Sequence, residues 1–521
     1  VKTTICLALL LLCGAATRMA EAQVFLESEP GFAEIGALAE PLDVASLENA
    51  ALLASGVGLE GLARYKSELG RILDGLSSEA GMAEDPAARA EAALGYLHKT
   101  AMRAYREEAT TLDGLLDSGY FNCVSSAVLY VIAVRSLGIE AAGVRTSDHA
   151  FSTVQVGGRS VDVETTNPFG FDPGGKKQFK DSFGKVTGFA YVAPGGYGDR
   201  RAIGARDLAG LILSNRASAL ERRGRFAEAA RLGADYAALC PGPDSSSFQA
   251  DRINNLVADL EARRDYTGAE AAAQAAARAL PKEAKLLALA RTASYNRAAA
   301  LAGSGDWSAA FDASLNLQAV SPGDRAVLSL VSDSLSGLAR SYARDGDYEA
   351  ARRAVAARAA RAGREAAAAA ASVVGEMELV HAANALAFPA ASAAADRILA
   401  AGEVSPSRYA QALSAIYGNE AGRLGSGGSW LQGAALAEQG AAKAAKAGAG
   451  DGGLLRLSRD LRHNFVAEAH NRFARLYNGR DYAGAKAAIE AALAQGGATL
   501  STELAQDLAA AEAAIKDEAR P

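Results

Sequence analysis

Cysteine is scarce in this chain: there are four in 521 residues, and two of them, Cys6 and Cys13, lie within the first 22. Only Cys123 and Cys240 follow, so no disulfide framework is expected to hold the fold together. Histidine numbers five, and no cysteine pair stands at ligand spacing, which removes the usual metal clusters. No metal or other cofactor is expected, and His463 and His470, seven apart, read as a solvated or packed pair on a helix. A glycine-rich phosphate loop is also missing, because PGGYG at 194–198 precedes no Lys-Ser/Thr helix start. Charge of one sign is not in excess: 54 basic and 60 acidic residues give a net charge of −6, with no electrostatic reason to expect nucleic acid.

Long apolar runs are few. The first, Ile5 to Cys13, follows one lysine and leads into small residues ending Ala20-Glu21-Ala22, the pattern of a secretory signal with an A-x-A cleavage site. It is too short to span a bilayer, so no transmembrane span is expected after cleavage, and the mature protein is expected in the periplasm or outside the cell. Two alternatives stay open: Leu12-Cys13-Gly14 would allow lipid anchoring through Cys13, and a start at Met19 would leave the protein in the cytoplasm.

The second run, Val124 to Leu137, is closed by Gly138 and reads as a buried helix that begins at Cys123. A thiol at a helix N-terminus meets unpaired N–H groups and the positive end of the dipole, which favour the thiolate. Beyond Gly138 the period changes from helix to strand. AAGVRTS, FSTVQV and RSVDVETT carry β-branched residues in alternation, and Gly157-Gly158 divides the last two as a hairpin turn. With the turn centred there, Thr153 faces Asp162 and Phe151 faces Glu164, which leaves His149 diagonal to Glu164. Asp162 and Glu164 share a strand face, and either is a candidate to orient the imidazole.

A thiol, an imidazole and an acid in this arrangement suit thiol-dependent acyl chemistry. His149 would take the thiol proton or stabilise the thiolate, while Asn122 and the backbone N–H of Cys123 would stabilise the oxyanion. The stretch resembles the transglutaminase-like superfamily of papain-type cysteine enzymes. The resemblance rests on Asn122-Cys123, Arg135-Ser136-Leu137-Gly138-Ile139, His149-Ala150-Phe151 and Glu164-Thr165-Thr166, and covers roughly residues 85 to 200. It implies an α+β domain with Cys123 as nucleophile. Phe151 stands where the family has Trp, Glu164 aligns with the Asp of its D-x-T phrase, and the superfamily includes catalytically silent binding relatives.

Residues 31 to about 118 are helical in pattern, with breaks near Gly56, Gly81 and Pro86; Tyr96, Tyr105 and Leu115-Leu116 read as core. After the hairpin, NPFGFDPGGKKQF and VAPGGYGDRRA read as loops. Phe169, Phe171 and Tyr197 there, with Phe151, are candidate walls of a substrate pocket.

From residue 206 an internal repeat emerges. Aromatics recur at Phe226, Tyr266, Trp307, Tyr348, Phe388, Trp430 and Tyr482, and the third residue after each is Ala or Gly. Pro241, Pro281 and Pro322 close the first three units. This resembles the tetratricopeptide repeat, at a period near 41 residues, and implies an all-α solenoid that binds a peptide or protein. Eleven residues before the aromatic stands Asn215, Asn255, Asn296, Asn419 or Asn471 in five of the units. Asparagine is a poor helix-interior residue, so the repetition points either to amides that hold a peptide backbone in a groove or to packing between repeats.

The organisation expected is a signal at 1–22, a helical segment at 23–84, a cysteine domain at 85–205 and helical repeats at 206–521. The function expected is hydrolysis or acyl transfer at amide bonds by an exported enzyme, the alternative being a non-catalytic envelope scaffold. A Cys123–Cys240 disulfide would silence the first.

Overall fold

The computed structural model describes residues 25–80, 83–187, 198–496 and 501–518. The residues assigned to the export signal, with Cys13 and Met19, lie outside the described residues. The fold is predominantly helical, 74% helix, as expected. The chain divides into two compact units after Arg297.

The first unit contains α1 (Phe32–Gly36), α2 (Val44–Ser55), α3 (Leu59–Ala80), α4 (Pro86–Thr100), β1 (Ala104–Tyr105), α5 (Leu112–Ser118), β2 (Tyr120–Phe121) and α6 (Cys123–Ser136). Then come β3 (Ala141–Arg145), β4 (Ala150–Val156), β5 (Arg159–Val163), α7 (Lys177–Thr187) and β6 (Arg201–Ile203). Five more helices follow: α8 (Ala205–Arg222), α9 (Phe226–Leu239), α10 (Pro243–Ala262), α11 (Tyr266–Ala279) and α12 (Ala284–Gly303), the last of which crosses the division.

Every residue of α6 from Val124 to Val134 is buried, which a helix apolar on all sides requires. It packs against β3, β4, α4 and α8. The sheet runs β5-β4-β3-β6, antiparallel throughout. Gly157 and Gly158 both take positive φ, as a two-residue type I′ turn requires, and they fix the expected register with Thr153 opposite Asp162. Gly143 in β3 lets α8 come close, since a Cβ there would lie 2.9 Å from Ile203 and 3.1 Å from Leu208.

The first unit runs well past residue 205, where the architecture changes but the packing does not. Arg206 donates to the Gly36 and Leu38 carbonyls, and Arg216 to that of Ala54. The Glu29 N–H donates to Asp235 of α9 at 2.7 Å, and Phe25 is buried against Ala230 and Ile253. The N-terminal segment thus straps α8, α9 and α10 to the sheet-bearing part.

In both units the helices come in sequential pairs. All seven recurring aromatics are the first residue of the second helix of a pair. The position two residues earlier is left-handed at Gly224, Arg264, Gly305, Gly346, Gly428 and Arg480, so the turn accepts arginine where glycine is missing. The Ala or Gly three residues after each aromatic is buried, which lets the paired helices approach closely. In the second unit Gly337 lies under the Trp307 ring, and a Cβ there would stand 2.2 Å from it. No described helix is long and apolar enough to cross a membrane.

Candidate functional site

Asn122 is the N-cap of α6. Its Oδ1 accepts from the Val124 and Ser125 N–H groups at 3.0 and 3.1 Å, and Ser125 Oγ accepts from the Asn122 N–H to complete a capping box. Its Nδ2 donates to the Glu107 carbonyl at 2.8 Å. The side chain expected to hold an oxyanion is instead buried as a helix cap. What remains for that task is the N–H of Cys123, which at the first helical position has no partner within the helix.

Cys123 is partly exposed and free, and Cys240 is buried and free, so no disulfide joins them. Burial, with Asp207 nearby, pushes the Cys240 thiol up, as befits an inert one.

His149 lies just before β4 and hydrogen-bonds through Nε2 to Glu164 Oε2 at 2.7 Å. This leaves Nδ1 as the ring atom for its interaction with the Cys123 side chain. Burial works against the imidazolium. The Glu164 carboxylate and the Cys123 hydrogen bond outweigh it, and the His149 pKa is pushed up to about 11. The surroundings of His149 thus favour its protonated form.

The third member of the constellation is Glu164. Its Oε1 accepts from the Thr166 hydroxyl at 2.7 Å and the Thr166 N–H at 3.2 Å, so both carboxylate oxygens are held. Asp162, the other candidate, makes a two-pronged ion pair with Arg200 and does not orient His149. The Phe151 ring stacks on His149 with centroids 6.1 Å apart.

Beneath the site, Ser126 and Thr165 share a hydrogen bond of 2.8 Å, and His98 Nε2 meets the Thr165 carbonyl at 3.0 Å. Burial pushes the His98 pKa down to about 4, so it is a neutral donor that fixes the segment carrying Glu164.

A cleft of about 1420 Å3 opens above Cys123 and His149. Tyr105, read from the sequence as core, packs against the core and also borders the cleft, and burial and the neighbouring Cys123 hold its phenol protonated. Three of the expected pocket walls do not border the cleft. Phe151 and Phe171 are buried in the packing, Phe169 is exposed, and Tyr197 lies outside the described residues. The far side of the cleft belongs to α8 and α10, through Asn215, Ser218, Arg222, Phe248 and Asp251. Of these, Asn215 was marked by the sequence as a groove or packing residue; the rest of the α8 and α10 lining carries no local signal, and Tyr105 comes from a two-residue strand with no period to detect.

The repeated asparagines divide. Asn215 donates to Thr110 at 2.9 Å, Asn255 to Glu221 at 3.0 Å and Asn296 to Glu261 at 2.9 Å. Asn255 and Asn296 thus tie one helix pair to the preceding one, the packing alternative, and each acceptor lies six residues after the preceding repeat's asparagine. Asn419 and Asn471 are exposed.

The chain matches no model of a known protein family and no curated protein.

Proposed function

We propose that the protein is a thiol-dependent acyl hydrolase or acyltransferase acting on amide bonds. One observation carries this reading: His149 sits between the Cys123 side chain and a carboxylate whose two oxygens are both held. The reading agrees with the transglutaminase-like and tetratricopeptide-like resemblances, and with an export signal at 1–22.

In this mechanism the Cys123 thiolate adds to the amide carbonyl carbon. The Cys123 N–H is the donor for the oxyanion. As the tetrahedral intermediate collapses, the C–N bond breaks and His149 Nδ1 gives its proton to the leaving amine. Water or a second amine then attacks the thioester and loses a proton to His149, and the thiolate leaves. Glu164 stays ionised, holding the ring and its charge.

The test is the rate of iodoacetamide labelling at Cys123 against pH, in a Cys240→Ala background. The expected rate stays high below pH 7 and falls roughly 100-fold with His149→Ala. An ordinary thiol profile that ignores His149 would replace catalysis with the role of a binding scaffold.

A further inference from the structure

The cleft above Cys123 has a helical wall of defined chemistry. Leu211, Ser214, Asn215, Ser218, Ala219 and Arg222 line it from α8 at intervals of one, three and four residues, which is a single helix face. Asp244, Ser247, Phe248 and Asp251 line it from α10 in the same way. Seven of these ten side chains are polar or charged, and three of the seven are serines. Such a wall suits an extended chain more than a bulky apolar group.

Charge on that wall is not balanced. Asp244 is paired with Arg201, and Asp251 with Lys285 at 3.2 Å. Glu221, the acid next to Arg222 in sequence, is taken by Arg252 at 2.6 Å and by Asn255. Arg222 and Arg223, at the end of α8, are both exposed and border the cleft, and neither makes an ion pair among the described residues. Arg145, from β3, lies in the field of Asp199. Glu107 and Glu108 border the cleft on the loop that holds Asn122, and Asp148 borders it beside His149. Negative charge is thus fixed beside the start of α6, and uncompensated positive charge lies at the end of α8. An acidic chain is repelled from the first and drawn along the second.

We propose that the substrate of Cys123 is an extended acidic peptide segment that lies on the α8–α10 face, with its carboxylates at Arg222 and Arg223. The proposal rests on the acyl-transfer reading of Cys123 and assigns its specificity to the first helical repeats.

The experiment compares alkylation rates at Cys123 in the full-length chain carrying Cys240→Ala. The probes are iodoacetamide, iodoacetyl-Gly-Ser-Glu-Glu-amide and iodoacetyl-Gly-Ser-Lys-Lys-amide; each forms an S–C bond and releases iodide. At low salt the acidic probe is expected to react about ten-fold faster than the lysine probe, with the advantage lost at high salt. Arg222→Glu with Arg223→Glu is expected to reverse the preference between the two peptide probes. Arg103→Glu, an exposed change outside the cleft lining, leaves the preference intact.

Equal rates for the two peptide probes, alongside fast and His149-dependent iodoacetamide labelling, would overturn the substrate class and leave the acyl reading standing. A reversal caused equally by Arg103→Glu would also overturn it, as an effect of net charge. Slow labelling by iodoacetamide that ignores His149 would remove the acyl reading and this proposal together.

Discussion

The sheet-bearing part of the first unit and the helical pairs of the second use their residues in opposite ways. Around Cys123 each side chain has its own task. One asparagine caps α6, one threonine holds Glu164 and one histidine pins the segment beneath. In the pairs one solution is repeated: an aromatic opens a helix and a buried small residue follows three positions later. A singular arrangement fails wherever it is cut, whereas a repeated one fails locally, because each pair touches mainly its neighbours.

The largest expected effect separates the two units. Phe311 is fully buried in the second unit, and Phe311→Ala is expected to cost about 3–5 kcal/mol there, read by chemical denaturation. Iodoacetamide labelling of Cys123 should not change. A fall in that rate would show that the second unit supports the site.

Glu164→Gln probes the singular arrangement. His149 has its pKa raised from 6.5 to about 11, so its contribution to stability is fully present below pH 6.5 and is lost as pH rises towards 11. The variant is expected to be roughly 2–3 kcal/mol less stable near pH 6, with the gap closing towards pH 11. A gap independent of pH would mean that Glu164 acts through packing alone.

The smallest effects test the repetition. Asn255→Ala should cost about 1 kcal/mol, since it removes a hydrogen bond between successive pairs, while Asn419→Ala, at an exposed position, should stay within about 0.5 kcal/mol. Equal costs would mean that the asparagines serve a common role, which the bonds to Glu221 and Glu261 speak against.

Much of the site was legible because its pieces are local. The helix from Cys123, the two-glycine hairpin and the reach of His149 to Glu164 follow from period, turn chemistry and register, all within some forty residues. The choice between Asp162 and Glu164 was less so. Both share a strand face, and it is Arg200, far along the chain, that takes Asp162. Asn122 was misread because its residue type suits an oxyanion donor and a helix cap equally, and the Glu107 carbonyl that settles the matter carries no sequence signal. Of the loop aromatics expected as pocket walls, Phe171 is buried instead, since a large apolar ring fills a core more readily than it lines a polar cleft, and Phe169 is exposed away from the cleft.

The sequence by itself determined the helix starts, the turns, the hairpin register and the thiol–imidazole–acid set, because short-range sterics and periodicity govern them. Only the tertiary structure decided which acid meets the imidazole, which asparagines bridge pairs, and that α8 and α10 wall the cleft. Those outcomes depend on contacts between residues far apart in the chain, where several partners of the right type compete and packing selects one.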